Sequence, residues 1–180
     1  MKLQERFGKE IAPALQKKLG VKNVNSVPKP VSVTIAVGIS PSKHKDGKLL
    51  EVAQESLLRI SGQRPVQTKA RKSISNFKTR AGQVIGLKVT LRGKRMWDFL
   101  EKLVDYAFPR VRDFRGISPR VIDRNGNASF GFTEHLAFPE IHSDEVERVH
   151  GLEVTVTTTA KDNAGGLALF QALGFPLKKS

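Results

Sequence analysis

The chain has 180 residues, 39% of them hydrophobic, no cysteine and a formal net charge of +14. This length fits one domain or two small ones with a real core, and the lack of cysteine excludes disulfides and thiolate metal sites. No stretch reaches the roughly 20 apolar residues of a membrane span, and the N-terminal residues lack the apolar run of a signal peptide, so we expect a soluble intracellular protein. The positive charge indicates an anionic partner, either nucleic acid or a membrane surface.

The first third of the chain predicts a helix, a strand and a second helix. Residues 2–19 carry apolar side chains four apart, with Pro13 predicting a kink or a fresh start and Gly20 a C-cap. Residues 31–37 alternate strictly, which predicts a strand with its odd-numbered side chains facing the core. After a loop at residues 38–47, in which Asp46 is a plausible cap, the pattern predicts a helix that ends near Gly62.

The centre of the chain carries charge of one sign. Between Glu55 and Asp98 there is no acidic residue, whereas eleven residues are lysine or arginine. Like charges repel and weaken the compact state, a cost that a bound polyanion would offset. The alternative is a solvated charged face, although solvated faces usually mix both signs.

Two predicted strands flank this basic region. Residues 65–71 and 87–92 alternate, whereas residues 73–86 between them have no period and predict a long mobile loop. The outward-facing side chains are predicted to be Gln67, Lys69 and Arg71 on the first strand and Lys88, Thr90 and Arg92 on the second. We therefore expect the two strands and the loop to present one cationic surface.

The remaining segments complete an alternation of helices and strands. Residues 94–108 predict a helix, residues 110–119 a basic irregular segment, and Asn125-Gly126 a turn. Strands at 129–133 and 152–159 and a helix at 164–173 follow. This order predicts one α+β domain over residues 1–180: a two-layer fold with a largely antiparallel sheet of about five strands and helices packed on one face.

Patterns that indicate catalysis or a resident metal are weak. The segment from Asp123 to Glu134 places oxygen ligands as a calcium loop does, but Ala128 stands where that loop needs glycine, so a hairpin turn is favoured. The four histidines lack metal-ligand spacing, and the acidic 139–149 segment has no acid–base partner. We therefore predict a protein that is not an enzyme, with no catalytic residue, metal or cofactor.

The composition of the basic loop favours RNA over DNA. No helix-turn-helix, zinc finger or basic zipper is present, and the loop mixes cations with serine, threonine, asparagine and Phe77, which suits folded RNA. Phe77 is alternatively a small core plug. Two other classes remain open: a membrane or acidic-protein binder, which predicts a basic amphipathic helix, and an RNA-processing enzyme, which needs a clustered acid, base or metal set.

Several long motifs, in the same order, resemble those of the bacterial ribosomal large-subunit protein five family. They are residues 57–78 (LLRISGQRPVQTKARKSISNFK), residues 86–97 (GLKVTLRGKRMW), residues 109–116 (PRVRDFRG), residues 138–141 (FPEI) and residues 157–161 (TTTAK). The resemblance extends over essentially the whole chain. It implies a structural protein of the cytoplasmic ribosome that anchors 5S rRNA to the large subunit in the central protuberance.

The resemblance also implies three sets of contact residues. The 5S rRNA contacts would be Gln63, Lys69, Arg71, Lys72, Lys88, Thr90 and Arg92. The loop that approaches the P-site tRNA would use Ser73, Ser75, Asn76, Phe77, Lys78, Arg80 and Gly82. The contact with small-subunit protein thirteen would use Arg110, Arg112, Arg115, Asp144 and Glu145. Large-subunit rRNA and neighbouring large-subunit proteins are the other implied partners.

One position departs from the family pattern. The family commonly has Asn-x-Gly-x-Gly after its first strand, with the asparagine in the RNA contact network. Here the corresponding residues begin at Ala36, and a methyl group neither donates nor accepts a hydrogen bond. That contact is therefore absent or supplied by another residue, and Ala36 is not a predicted site residue.

Overall fold

The computed structural model describes residues 1–39, 48–142 and 148–178. They form a two-layer α+β fold built on an open, antiparallel five-stranded sheet with the order β2-β3-β1-β5-β4. The strands are β1 Pro30–Gly38, β2 Val66–Lys69, β3 Val84–Leu91, β4 Ala128–Phe132 and β5 Leu152–Thr158. The predicted fold class is confirmed. The expected cap Asp46 lies outside the described residues.

The helices lie where the apolar periodicity predicts them, with shifted ends. They are α1 Leu3–Arg6, α2 Ala12–Leu19, α3 Lys48–Ser61, α4 Gly93–Lys102 and α5 Asn163–Ala172. After α4 the chain continues as a π-helical turn, Leu103–Ala107, and a 3₁₀ turn that contains Pro109. The single long helix predicted for residues 94–108 therefore consists of three helical segments. The last of them is a 3₁₀ turn because Pro109 has no N–H group to continue an α-helix.

The N-terminal helix changes its winding just before its proline. A π-helical turn at Phe7–Ile11 joins α1 to α2, and the backbone stays helical through Ile11 and Ala12 into the first turn of α2, which contains Pro13. The predicted fresh start is therefore not seen, and the irregularity before Pro13 is the π-helical turn. Gly20 ends α2 in the left-handed region, at φ 64°. Its N–H and that of Val21 donate to carbonyls of the last turn, the arrangement that glycine favours at a helix C-terminus.

The first strand follows its predicted alternation except at its start. Val33, Ile35 and Val37 are buried as expected, but Val31 is 42% exposed and Ser32 is buried. The prediction was wrong at these two positions. An alternating pattern shows which residues share a face of the strand, but it does not show how far along the strand that face is covered by other residues.

The chain divides into two compact units. The first unit comprises Met1–Val33, Leu91–Phe130 and Thr155–Ser180. Its core includes the phenylalanine cluster, which we define as Phe108, Phe114, Phe130, Phe170 and Phe175. Ring centroids in the cluster lie 5.1–6.1 Å apart, the spacing at which aromatic pairs attract beyond simple burial.

The turn before β4 also lies in the first unit. Asp123 accepts hydrogen bonds from the backbone N–H groups of Asn125 and Asn127, both at 2.8 Å, and from the Asn127 side chain. The Asn127 amide, with these backbone donors, holds the pKa of Asp123 below its ordinary value. The carboxylate thus stabilises its own turn, which confirms the predicted hairpin turn.

The second unit comprises Thr34–Thr90 and Gly131–Val154. Its fully buried side chains include Leu57 and Ile60 of α3, Leu87 of β3 and Phe138. The apolar spacing of α3 predicts five core positions, of which Leu49, Ala53, Leu57 and Ile60 are buried and Val52 is half-buried. This unit also contains β2 and most of β3, and therefore most of the predicted RNA contacts.

Candidate nucleic-acid interface

The strand β2 forms one edge of the sheet and pairs antiparallel with β3. Val66 lies opposite Lys88, Gln67 opposite Leu87 and Thr68 opposite Gly86. Opposite residues of an antiparallel pair share a face, so the outward-facing Lys88 shares its face with Val66 and Thr68. The expectation that Gln67 joins Lys88 was wrong, because pairing register, which the alternation of one strand does not reveal, places Gln67 opposite the buried Leu87.

The outward face of β3 is polar, as predicted. Lys88 is exposed and Thr90 is half-buried on this face, whereas the alternate residues Leu87, Val89 and Leu91 are buried on the other face. A shallow cleft of about 430 Å³, the sheet-face cleft, opens on this side and is lined by Thr34, Ala36, Thr68, Gly86 and Lys88 among others. Small and polar side chains leave the backbone within reach of a ligand here.

A glycine keeps two strands close beneath this cleft. A Cβ atom built on Gly86 would lie 2.5 Å from the carbonyl oxygen of Val37 and 3.0 Å from the hydroxyl of Thr68. Any larger residue would push the strands apart, so glycine is required for the close approach. Thr34, Thr68 and Gly86 were not selected from the sequence, since small polar residues on a strand carry no local signal of binding.

Gln63 and Thr90, far apart in sequence, are brought together. The side-chain amide of Gln63 donates to the backbone carbonyl of Thr90 at 3.4 Å. Ser61 orients this residue: its hydroxyl accepts from the Gln63 N–H at 3.2 Å and lies 3.0 Å from the Gln63 carbonyl. Both side chains are half-buried, which limits their freedom and leaves polar atoms at the surface.

The segment between β2 and β3, residues 70–83, is a hydrogen-bonded structure that we call the basic hairpin. Ala70 and Gln83 pair at its base, and Ile74 and Thr79 exchange two backbone hydrogen bonds of 2.9 and 3.1 Å. Strand β3 begins at Val84, inside the predicted loop. The predicted loop at residues 73–86 therefore ends at residue 83, and residues 84–86 belong to β3. Its internal hydrogen bonds were not foreseen, because they join residues by pairing and leave no periodic trace. Mobility of the hairpin stays a prediction.

The tip of the basic hairpin is a tight turn over residues 75–78. The N–H of Lys78 donates to the carbonyl of Ser75 at 2.9 Å, and Lys78 itself adopts a left-handed backbone with φ 51°. The backbone N–H of Ala81 donates to the hydroxyl of Ser73, and Gly82 (φ 83°) donates to Ala70. The predicted tRNA-contact residues Ser73, Ser75, Asn76, Phe77, Lys78, Arg80 and Gly82 are all exposed here.

Phe77 is not a core plug. Its side chain is 68% exposed at the tip of the basic hairpin. Ile74 and Ile85, which flank the same structure, are 48% and 37% exposed. Three large apolar side chains therefore face solvent in a segment that is otherwise cationic and polar.

The cations of this region face solvent. Lys69, Arg71, Lys72, Lys78 and Lys88 are all exposed, and within the described residues none forms an ion pair with Asp or Glu. Arg59, by contrast, bonds Glu55 at 2.6 Å. These cations are therefore not paired with the carboxylates that the structure describes, although Glu153 also lines the sheet-face cleft.

The other predicted contacts lie in the first unit. Arg92 is exposed directly after β3. Arg110 is exposed at the end of the 3₁₀ turn, and Arg112 and Arg115 are exposed on the irregular segment that follows it. Phe114 anchors this segment by stacking on Phe108, with ring centroids 5.7 Å apart. The predicted contacts Asp144 and Glu145 lie outside the described residues.

A buried histidine pair occupies the second unit. The rings of His135 and His150 stack with centroids 4.0 Å apart and 6° between their planes. Nδ1 of His135 accepts from the backbone N–H of His150, and Nδ1 of His150 lies 3.2 Å from the Gly151 carbonyl. Burial lowers the pKa of His135, and burial with the neighbouring ring lowers that of His150 to about 4. Both rings are neutral at pH 7.

Among the described residues, this pair is not part of a metal-ligand cluster. Among residues 1–39, 48–142 and 148–178, no three His, Cys, Asp or Glu side chains converge as metal ligands.

In the same ranges, no helix is long and apolar enough to cross a membrane.

A one-signed basic edge on a two-layer fold is typical of a nucleic-acid-binding protein. Comparison with known proteins makes the class specific. Residues 23–80 match the family "ribosomal protein L5", and residues 84–177 match the C-terminal model of that same ribosomal protein family. The chain therefore belongs to the ribosomal protein L5 family, a family of structural ribosomal proteins and not of enzymes.

Curated relatives agree over nearly the full length. The large ribosomal subunit protein uL5 of Colwellia psychrerythraea is 47% identical over 178 residues, covering 99% of this chain and 98% of the relative. The uL5 proteins of Caldanaerobacter subterraneus and Thermotoga maritima are each 48% identical, over 98–99% of this chain and 99% and 96% of the relative, respectively. The chain is thus a constituent of the large ribosomal subunit in the cytoplasm.

Proposed function

We propose that the protein binds 5S rRNA through the outward face of β2 and β3 and helps attach it to the large subunit. The contacts are Gln63, Lys69, Arg71, Lys72, Lys88, Thr90 and Arg92. The observation that carries this proposal is the run of exposed, unneutralised cations from β2 into the basic hairpin beside an outward polar face. Cations supply affinity for the phosphates, whereas the Gln63–Thr90 pair offers hydrogen-bonding atoms for bases and 2′-hydroxyls.

The proposal assigns different RNAs to two parts of the second unit. The sheet face binds 5S rRNA, and the tip of the basic hairpin contacts the P-site tRNA. The hairpin supports this division because its hydrogen bonds hold the cationic tip beyond the paired strands. The proposed contact with small-subunit protein thirteen uses charge pairing by Arg110, Arg112 and Arg115 of the first unit, and by Asp144 and Glu145, which lie outside the described residues.

The test is a binding titration of the full chain with 5S rRNA, duplex DNA of equal length and an unrelated folded RNA across a salt series. Tight binding of 5S rRNA at salt that releases the other two is the expected result. Simultaneous loss of all three would overturn the 5S proposal, because it would leave only nonspecific electrostatic attraction.

Three substitutions examine the face directly. Replacing Lys69, Arg71 and Lys72 by glutamine is expected to weaken 5S binding and to lower the magnitude of the salt slope by about 2–3, since each phosphate contact contributes about 0.7–0.9. The matched control replaces Lys17, Lys18 and Lys22, three exposed lysines of the first unit, by glutamine. Equal losses in both variants would contradict the assignment to β2 and the hairpin.

The division between the two RNAs has its own test. Substituting Lys78 and Arg80 by glutamine is expected to spare 5S binding and to weaken contact with tRNA on assembled ribosomes. A large loss of 5S affinity in this double variant would refute the division.

A further inference from the structure

The basic hairpin borders an apolar cleft. The apolar side chains of this cleft have no role in the phosphate contacts proposed above. An open cleft of about 520 Å³ is lined by Ile39, Ile74, Phe77, Ile85, Arg71 and Lys72, with Ala70 and Thr79 between them. Its volume is within the range of small-ligand sites, about 300–1,000 Å³. We call it the hairpin cleft. All of its lining residues belong to the second unit.

The cleft exposes apolar surface at a cost to the free protein. Ile74, Phe77 and Ile85 are 48%, 68% and 37% exposed, and three large apolar side chains around one concavity mark a contact site more often than a solvated surface. Folding does not require them there, because the hairpin is held by backbone hydrogen bonds between Ile74 and Thr79.

The chemistry of the rim identifies the occupant. Arg71 and Lys72 line the cleft, and neither forms an ion pair with a carboxylate in the described parts of the chain. The occupant therefore combines a flat or apolar group with a nearby negative charge. An unpaired nucleobase has this combination, since its ring faces stack on aromatic side chains while its own phosphate lies beside cations.

The geometry of the tip prepares Phe77 for stacking. The Phe77 carbonyl accepts a hydrogen bond from the Thr79 hydroxyl at 3.2 Å, and the Lys78–Ser75 hydrogen bond closes the turn around it. A backbone held before binding loses less conformational freedom when its partner arrives, so the side-chain torsions of Phe77 are the main freedom left to lose. The ring itself is exposed and available for contact.

We propose that the hairpin cleft binds one unpaired base of RNA, which stacks on Phe77 and the neighbouring isoleucines while Arg71 and Lys72 bind the adjoining phosphates. This proposal rests on the proposed RNA-contacting role of the hairpin and adds a base-binding subsite to it. The subsite tolerates any base, because every base presents a ring face and the cleft lining is mainly apolar.

The test uses two RNA hairpins of equal charge with the full-length protein. One carries a single bulged adenine, and the other carries an abasic nucleotide at the same place, so that the phosphates match. The wild type is expected to bind the adenine hairpin about tenfold more tightly, as one stacked base provides. Equal affinity for the two hairpins would overturn the proposal.

Variants identify the cleft as the source of this difference. Phe77→Ala is expected to reduce the affinity ratio nearly to one without changing the salt slope, whereas Phe77→Trp retains the ratio. Ile74→Thr, which keeps β-branching for the Ile74–Thr79 pairing, is expected to lower it. Val24→Ala, at an exposed valine of the first unit that lies outside the cleft and outside the face of β2 and β3, is the matched control and keeps the ratio. A ratio that survives Phe77→Ala overturns the proposal.

A parallel titration with 5S rRNA separates the two proposals. If the wild type selects 5S rRNA but does not distinguish the two hairpins, the cleft proposal alone fails, and an apolar side chain of a protein partner becomes the better occupant. If the wild type distinguishes the hairpins but does not select 5S rRNA, the proposed function alone fails.

Discussion

The phenylalanine cluster of the first unit and the basic hairpin of the second use the same aromatic residue for opposite purposes. Phe170 is fully buried and packs edge-on against Phe130 and Phe175, whereas Phe77 is 68% exposed. A ring that is buried on folding contributes to the free energy of folding. An exposed ring can instead be covered by a partner, and it then contributes to the free energy of binding.

The sharpest test of this comparison substitutes one phenylalanine in each region. Phe170→Ala is expected to lower the free energy of unfolding by about 3–5 kcal/mol, since it leaves a cavity among rings that cannot collapse fully. Phe77→Ala is expected to change it by less than about 0.5 kcal/mol. Urea denaturation followed by circular dichroism measures both. Similar losses in the two variants would contradict the distinction between folding and binding residues.

The histidine pair complicates the comparison, because it is buried and polar. His150 has a pKa of about 4 in the folded protein, against about 6.5 in the unfolded chain. Below pH 6.5 the unfolded chain therefore binds more protons, and the stabilisation present above that pH is lost as the pH falls towards 4. We expect a loss on the order of 2 kcal/mol between pH 7 and pH 4.5, with the lowered pKa of His135 acting in the same direction.

Unfolding at a series of pH values measures this loss. His150→Asn keeps a side-chain donor for the Gly151 carbonyl but cannot take up a proton, so its stability is expected to vary less over the same range. His142→Asn, at an exposed histidine, is the matched control and should follow the wild type. A wild-type stability that is flat from pH 7 to pH 4.5 would refute the neutral buried pair.

Glycine gives a smaller test within the second unit. Gly86→Ala is expected to cost about 1–3 kcal/mol, because the new methyl group would overlap the Val37 carbonyl and displace a strand. Gly131→Ala, in β4 with open space around the position, is expected to be neutral or slightly stabilising. The difference between the two, measured by urea denaturation, tests the close strand approach; equal effects would argue against it.

The smallest expected effect concerns binding alone. Ala36 is half-buried and lines the sheet-face cleft, which leaves room for a longer polar side chain. Ala36→Asn is expected to increase 5S rRNA affinity about two- to tenfold, the worth of one net hydrogen bond of about 0.5–1.5 kcal/mol. Ala36→Val, which adds bulk without hydrogen bonding, is the control. An affinity that does not rise with asparagine would mean that another residue already supplies the contact.

Local signals predicted the elements of this fold and failed where distant segments meet. The apolar spacing of α3, the glycine at residue 20 and the alternation of β3 each specify a local conformation, and the structure bears them out. The face of Gln67 was mispredicted because the pairing register is a property of two strands. The predicted loop ran into the start of β3, and the Ile74–Thr79 pairing within it was missed because such pairing follows no period.

The candidate site divides in the same way. The charge run and the family motifs identified the RNA-facing region from sequence, since both are visible in consecutive residues. The hydrogen bond between Gln63 and Thr90, the exposure of Phe77 and the hairpin cleft were not visible, since each depends on which side chains other elements leave uncovered. Ile74 and Ile85, apolar residues within a basic segment, were the available signal.

By itself, the sequence determined the α+β class, most helix and strand positions, the sign of the partner's charge and the family. These follow from side-chain periodicity, turn residues and net charge, which act over a few residues or over the whole chain. Only the tertiary structure decided the strand register, the buried histidine pair and the hairpin cleft, because each arises where residues distant in sequence exclude water from one another or leave a ring open to it.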